Sequence, residues 1–430
     1  MHDELTIDIE PAPSPLPLSP KRDGAAARWL NKAQLRRSWL AVHRWLGLTV
    51  GLLFVFLGLT GSLLVFDHAI DEWLNPELLL TKGTGSRRPL VEVIDQARRA
   101  YSGSSRHPTA VSAPRVPNGV WKVWFQSGSE EAPTVTGVYV DPTTAQVRGQ
   151  RVWGEDLMSI IYKLHYTLLA GKSGETIVGL TGLVLLVSVC SGVYLWWPLW
   201  TCGWAAAFAI RRGRRFNYDL HKTLGIVAAP LLAVIAFTGV YLVFPEWVKP
   251  AVTMLSADTP PLLNLKSATQ TGQPITPEQA IDIAMAQFPD ARFCHFHPPQ
   301  GDDGAYEVAV RQPHEVQQSF GATQVWIDQY TGSILAIRDT NDYTGADAFF
   351  AWQFPLHNGE AFGLVGRWIV FFAGLTPAVL YITGFIVWWR KRRSRRRQRR
   401  GNATGLTRRE LLRRNLVPSH SPDSRLQEVV

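Results

Sequence analysis

Eleven histidines are spread along the chain, and four of them stand out by where they fall. His43 and His221 each come just before a long apolar run, and His165 and His357 each come about eleven residues ahead of another. Imidazole is the commonest side-chain metal ligand and titrates near neutrality, so matched pairs of it point to metal ligation or to proton handling. The ordinary alternative is a histidine that anchors the end of an apolar run at a membrane interface. Three further histidines raise the same question more weakly. His68 follows the first apolar run and reads as an anchor, or as a supplement to the nearby pair. His295 and His297 are two residues apart, so a strand there turns both rings to one face, with Asp302 and Asp303 following. That face is a weaker candidate for a metal or ferric-chelate contact.

The elements that must position these residues are plain. Four windows, 45–66, 176–199, 223–245 and 368–389, contain no Asp, Glu, Lys or Arg. Each is long enough for a helix to cross a hydrocarbon layer about 30 Å thick, which rules out a soluble protein. The net charge of +9 is also unevenly placed. Residues 200–222 hold five basic and one acidic side chain, and residues 390–430 hold 14 and three. Residues 245–367 hold six and 14. The positive-inside rule therefore predicts that both termini and the short loop are cytoplasmic, with the two long connections outside. In a bacterium-like cell this means an inner-membrane protein with periplasmic modules. The basic tail reads as a topology signal and lipid contact, not a nucleic-acid site. Residues 1–38 are polar and Pro-rich, so the first run reads as an uncleaved anchor.

The spans form a repeat. Setting His43 on His221 aligns the first and third without a gap, with Thr60 on Thr238 and Gly61 on Gly239. Setting His165 on His357 aligns the second and fourth, with Gly182 on Gly374, Gly192 on Gly384 and Trp196-Trp197 on Trp388-Trp389. A duplicated unit of span, outer module, span in one orientation implies a pseudo-two-fold axis along the membrane normal. That axis relates His43 to His221 and His165 to His357, so each pair can converge in the bundle. No other ionisable group lies at depth, which argues against a proton or ion path.

The outer modules repeat more loosely. Helical patterns at 91–101 and 276–288 are each followed by alternating strands, at 121–126 and 137–140, then at 306–311, 324–328 and 333–337. Aspartate turns follow a strand in both, Asp141-Pro142-Thr143-Thr144 and Asp328-Gln329-Tyr330-Thr331-Gly332. Each module is expected to be a helix on an antiparallel sheet. With one cysteine outside, Cys294, no disulfide forms there, and no Cys-x-x-Cys-His motif for covalent haem is present.

The VHRWLGLTVG start, the TGSLLVF end of the first span, the Tyr194-Leu195-Trp196-Trp197 end of the second and the VWIDQYTG turn are similar to motifs of the PepSY-associated transmembrane family of iron-regulated inner-membrane proteins. The resemblance covers roughly residues 36–393. It implies ferric-siderophore reductase chemistry in some members, with haem carried in the bundle.

The expectation is an α-helical membrane protein with a bundle of four spans from a duplicated span–PepSY–span unit and two periplasmic α+β PepSY-like modules. Its parts are a tail (1–38), the first span (39–67), module 1 (68–155), an outer segment and second span (156–199), a basic loop (200–216), the third span (217–245), module 2 (246–347), an outer segment and fourth span (348–389) and a basic tail (390–430). Two bis-histidine b haems are expected, one on His43 and His221, the other on His165 and His357. Gly47, Gly225, Gly182 and Gly374 would let the macrocycles approach, and Arg44 and Lys222 flank the inner pair. Iron is then the substrate, in a ferric siderophore docked between the two modules, since reduction to Fe(II) weakens hard-oxygen chelation. No dinucleotide motif appears, so a separate donor, protein or quinol, is required. The alternatives are a non-redox membrane-anchored binding module and an accessory subunit of metal or siderophore uptake.

Overall fold

The computed structural model describes residues 23–83, 85–103, 107–129, 132–201, 203–262, 265–268 and 272–414. Cys202 and most of the Pro-rich N-terminal tail lie outside them. Apolar runs without charged residues become long helices, because in lipid every backbone group must be satisfied within the segment. Helix α1 (Asp23–Thr49) and α2 (Gly51–Leu64) are separated by a break at Val50 and bent by 58°. The short α3 (Asp67–Leu74), α4 (Pro76–Leu79) and α5 (Leu90–Ala100) lead into strands β1 (Pro108–Ser112), β2 (Trp121–Ser129), β3 (Ala132–Val140) and β4 (Val147–Val152). Next come α6 (Leu157–Thr167), α7 (Gly171–Trp200) and the short α8 (Trp204–Phe208). The second half repeats the order with α9 (Phe216–Val243), α10 (Pro245–Thr253) and α11 (Pro277–Gln287). It continues with β5 (Arg292–His297), β6 (Ala305–Arg311), β7 (Thr323–Asp328), β8 (Ile334–Arg338), α12 (Gly345–Asn358) and α13 (Gly363–Arg414). Helices α7, α9 and α13 are each long and apolar enough to cross a membrane, and the bent α1–α2 pair makes up to a fourth crossing.

The sheet departs from the two separate modules expected. All eight strands form one antiparallel sheet in the order β4-β3-β2-β1-β5-β6-β7-β8. The halves meet at β1 and β5, with Val111 opposite Phe296 and Ser112 opposite His295. Backbone pairing thus joins the two modules into one sheet. One buried core runs across the joint, from Val93, Val123, Phe125 and Val138 to Phe296, Val308, Val325 and Ile327. Helices α5 and α11 both pack on it, and the Glu278 carboxylate of α11 accepts from the Leu90 and Val91 amides at the start of α5.

The aspartate turns are equivalent. Asp141 Oδ1 accepts from the Thr143 amide at 2.8 Å, and Asp328 Oδ1 from the Tyr330 and Thr331 amides at 2.8 Å. Charged groups fix the short helices that link the spans to the sheet. Arg151 pairs with Asp71 at 3.0 Å and Arg115 with Glu72 at 2.6 Å, both on α3. Asp347, in the capping box of α12, accepts from the Thr259 amide and hydroxyl at 3.0 and 2.6 Å.

Candidate functional site

The repeat brings the four histidines together in the expected pairs. The rings of His43 (on α1) and His221 (on α9) have centroids 6.2 Å apart, and so do those of His165 (on α6) and His357 (on α12). The first pair lies on the face away from the sheet, and the second on the sheet side.

Each imidazole sits in the same setting, built from a hydroxyl-glycine dipeptide on a neighbouring helix. His165 Nδ1 is 3.1 Å from the Thr60 hydroxyl and bonded to the Leu57 carbonyl. His357 Nδ1 is 3.0 Å from the Thr238 hydroxyl and 3.1 Å from the Ile235 carbonyl. His43 Nδ1 is 2.9 Å from the Ser191 hydroxyl and 3.1 Å from the Ser188 carbonyl, and His221 Nδ1 is 3.1 Å from Thr383 and 3.0 Å from the Leu380 carbonyl. In every case the carbonyl belongs to the residue three before the hydroxyl. The hydroxyls themselves donate back to carbonyls of their own helices, Thr60 to Leu57, Thr238 to Ile235, Ser191 to Ser188 and Thr383 to Leu380. A carbonyl only accepts, so Nδ1 carries the proton and donates. The lone pair of each imidazole is thereby left on Nε2, the tautomer that a metal requires.

The glycine completes the setting. A Cβ built on Gly61 would stand 2.9 Å from His165 Cε1, on Gly239 3.1 Å from His357 Cε1, and on Gly192 and Gly384 3.2 Å from the same atom of His43 and His221. These four glycines let the ring edge lie against the helix backbone. They are not the ones singled out from sequence. Gly182 and Gly374 serve helix packing, against Val240 and against Gly58 with Ser62, while Gly47 has open space around it and Gly225 nearly so. Thr60-Gly61 and Thr238-Gly239 were visible as coincidences of the repeat, and Ser191-Gly192 against Thr383-Gly384 as a further one. A hydroxyl residue before glycine at all four places was the available signal.

The two cations that flank the first pair have partners of their own. Lys222 donates to the Ala206, Ala207 and Ala209 carbonyls at 3.3, 2.7 and 3.0 Å, so it caps the end of α8. Arg44 lies over the Trp45 ring at 5.6 Å. His68 lines a cavity with arginines. His295 and His297 share a face of β5 as the alternation implied, 5.4 Å apart, with His297 Nδ1 2.8 Å from the Thr109 carbonyl. Burial, then the neighbouring His297, push the His295 imidazole down to about 4. Asp303 is turned to Lys266 at 2.5 Å.

Among the described residues, no three His, Cys, Asp or Glu side chains converge to hold a metal ion. A metal at either pair would need its other ligands from a non-protein group, which a porphyrin supplies. The spacing suits it. A centroid separation of 6.2 Å leaves room for one metal ion between the two rings of each pair, given metal–imidazole bonds of about 2.0 Å. The donor set, its tautomer and its spacing therefore fit bis-imidazole haem.

The family model described as the PepSY-associated TM region matches residues 40–391. No curated protein matches the chain.

Proposed function

Because the chain belongs to the PepSY-associated transmembrane family, whose membership alone assigns no chemistry, we propose its function from the site: it is a haem-bearing reductase that carries electrons across a bacterial inner membrane to a periplasmic ferric siderophore. In this reading four spans arise from a duplicated span–module–span unit, both termini are cytoplasmic, and the sheet stands in the periplasm. The observation that carries it is the equivalence of the four imidazole settings, each with a hydroxyl, a carbonyl and a glycine at the same relative positions. Interfacial anchors need no fixed tautomer and no cradle.

His43 with His221 would hold one b-type haem, and His165 with His357 the other. When bound there, haem iron supplies reversible one-electron transfer at a potential set by its axial ligands and their hydrogen bonds. The chain's own residues do the rest. The Leu57, Ser188, Ile235 and Leu380 carbonyls keep the proton on Nδ1 and raise the basicity of Nε2. Spans without charged residues keep water from the bundle. Electrons enter from a separate donor, protein or quinol, and iron is the substrate, not a resident ion.

The test is the absorption spectrum of the detergent-purified protein, oxidised and then dithionite-reduced, with pyridine haemochrome quantitation. Low-spin b-type bands at about two haems per chain are expected. Protein made with adequate haem supply yet free of haem would overturn the reductase and leave a membrane-anchored binding module or uptake subunit.

A further inference from the structure

The chain between the third and fourth spans is strongly acidic, which by itself favours cationic ligands. The structure places the opposite charge at one point. A cavity of about 240 Å³ lies where the sheet meets the membrane helices, and Arg115, Arg292, Arg311, Arg367 and His68 line it, with Leu364 as an apolar wall. No carboxylate is among its lining residues.

Two of the four guanidinium charges are compensated. Arg115 pairs with Glu72 at 2.6 Å and Arg367 with the buried Glu360 at 3.2 Å. The other two have only carbonyl partners among the described residues. Arg292 donates to the Pro114 and Arg115 carbonyls at 3.0 and 2.6 Å, and Arg311 Nη1 to the Gln318 carbonyl at 3.1 Å. Arg311 Nε is buried with no hydrogen-bond partner among the described residues. A buried, unpaired guanidinium nitrogen beside a second uncompensated guanidinium carries a cost that an anion would remove.

The position ties this cavity to the sheet-side histidines. Leu364 and Arg367 stand on the first turns of α13, and Trp368 and Phe371 continue that face to meet the Phe66 ring, tilted at 4.8 Å and edge-on at 5.9 Å. Phe66 follows α2 five residues after Gly61, the cradle of His165, an axial rise of about 7.5 Å.

We propose that this cavity binds one anionic, oxygen-rich arm of a metal chelate. Resting on the reductase reading, the inference narrows its substrate to negatively charged chelates, catecholate or hydroxycarboxylate, over uncharged or cationic hydroxamates. The cavity is smaller than the several hundred Å³ of a whole-ligand pocket, so it seats an arm and leaves the metal centre outside. Guanidinium forks match paired oxygens, and over this short range they outweigh the more distant acidic surface, which salt screens.

The experiment uses full-length protein in neutral detergent and redox-inert gallium(III) complexes, so no electron transfer is involved. Calorimetry with gallium tris-catecholate should give saturable binding that weakens with added salt. Arg311→Gln and Arg292→Gln should each weaken it roughly tenfold or more, while a gallium trihydroxamate binds poorly to all three proteins. Arg292 is exposed, so its variant stands if Arg311→Gln fails to fold. Unchanged affinity in a folded Arg292→Gln variant, equal affinity for the trihydroxamate, or loss of chelate binding through saturation by added phosphatidylglycerol would each overturn the proposal. Haem-free protein that still binds gallium tris-catecholate through these arginines would sink the reductase and keep the anion site.

Discussion

The two histidine pairs share a separation and a hydrogen-bond pattern but differ in what carries them. His43 and His221 belong to helices that run on into the membrane, α1 and α9. His165 and His357 sit on the short helices α6 and α12, which connect strands to spans. The ring planes differ as well, 83° apart in the far-side pair and 56° apart in the sheet-side pair. The geometry of the first pair is set by packing of the bundle itself. That of the second is set jointly by the bundle and the sheet, where Asp347 at the start of α12 pairs with Arg338 of β8 at 3.9 Å and Glu360 after α12 accepts from the Gln318 amide between β6 and β7. An event at the sheet can therefore reach one pair and leave the other untouched.

Removing a ligand should break that comparison most strongly. His357→Ala is expected to lose one of two haem equivalents and retain the far-side spectrum, and His43→Ala the reverse, as read by pyridine haemochrome and redox titration. Loss of both haems in either variant would show that the pairs are not separable. Filling the cradles comes next. Gly61→Ala puts a Cβ 2.9 Å from His165 Cε1, where the ring must shift, whereas Gly384→Ala meets His221 at 3.2 Å. The sheet-side haem should lose occupancy in the first variant, and the far-side haem should change less in the second.

Thr238→Val and Thr383→Val remove one of two acceptors at Nδ1 and leave the carbonyl, so the tautomer survives. Haem affinity should fall by about tenfold, the lower end for a hydrogen bond behind a ligand, and titration of apo-protein with haemin checks this. Asp347→Ala should cost roughly 1–2 kcal/mol in helix capping and hydrogen bonding. It should also shift the midpoint potential of the sheet-side haem alone. An equal shift in both would deny the asymmetry.

The smallest effect is in the sheet. Burial pushes the Asp141 carboxyl up, but hydrogen bonds from Thr81, Thr143 and Thr144 outweigh it and hold it at about 2. A carboxyl depressed in the folded state stabilises it above the unfolded value of 3.8, and that contribution fades as pH falls towards 2. Asp141→Asn should therefore lose up to about 2 kcal/mol at pH 7, with the difference from wild type vanishing in melts near pH 2. A constant difference across that range would assign it to something other than charge.

The histidine pairing was legible because duplication copies spacing, and a two-fold axis converts a spacing into a contact. The cradles were harder to see, since Thr60-Gly61 and Thr238-Gly239 look like ordinary small-residue helix packing until a ring is placed against them. The helical patterns near 91–101 and 276–288 and the central strands were readable from alternation. β1 and β4 were not: Pro108–Ser112 is short and opens on proline, and Val147–Val152 holds two arginines and a glycine. With β1 unseen, its pairing to β5 and the continuous sheet could not be foreseen. The arginine cavity was invisible for another reason, because residues 115, 292, 311 and 367 meet only through the fold.

The β1–β5 joint has a consequence for ancestry. The strand order reads the same from either end, and each repeat supplies one histidine to each pair. A chain of half the length would carry two unmatched histidines and an open strand edge, and could complete neither alone. Two copies facing each other across a two-fold axis would pair their first strands antiparallel and restore both sites at once, the geometry of an isologous homodimer. Fusion into one chain then frees the halves to diverge, as His68 and Glu246 at matched positions have done.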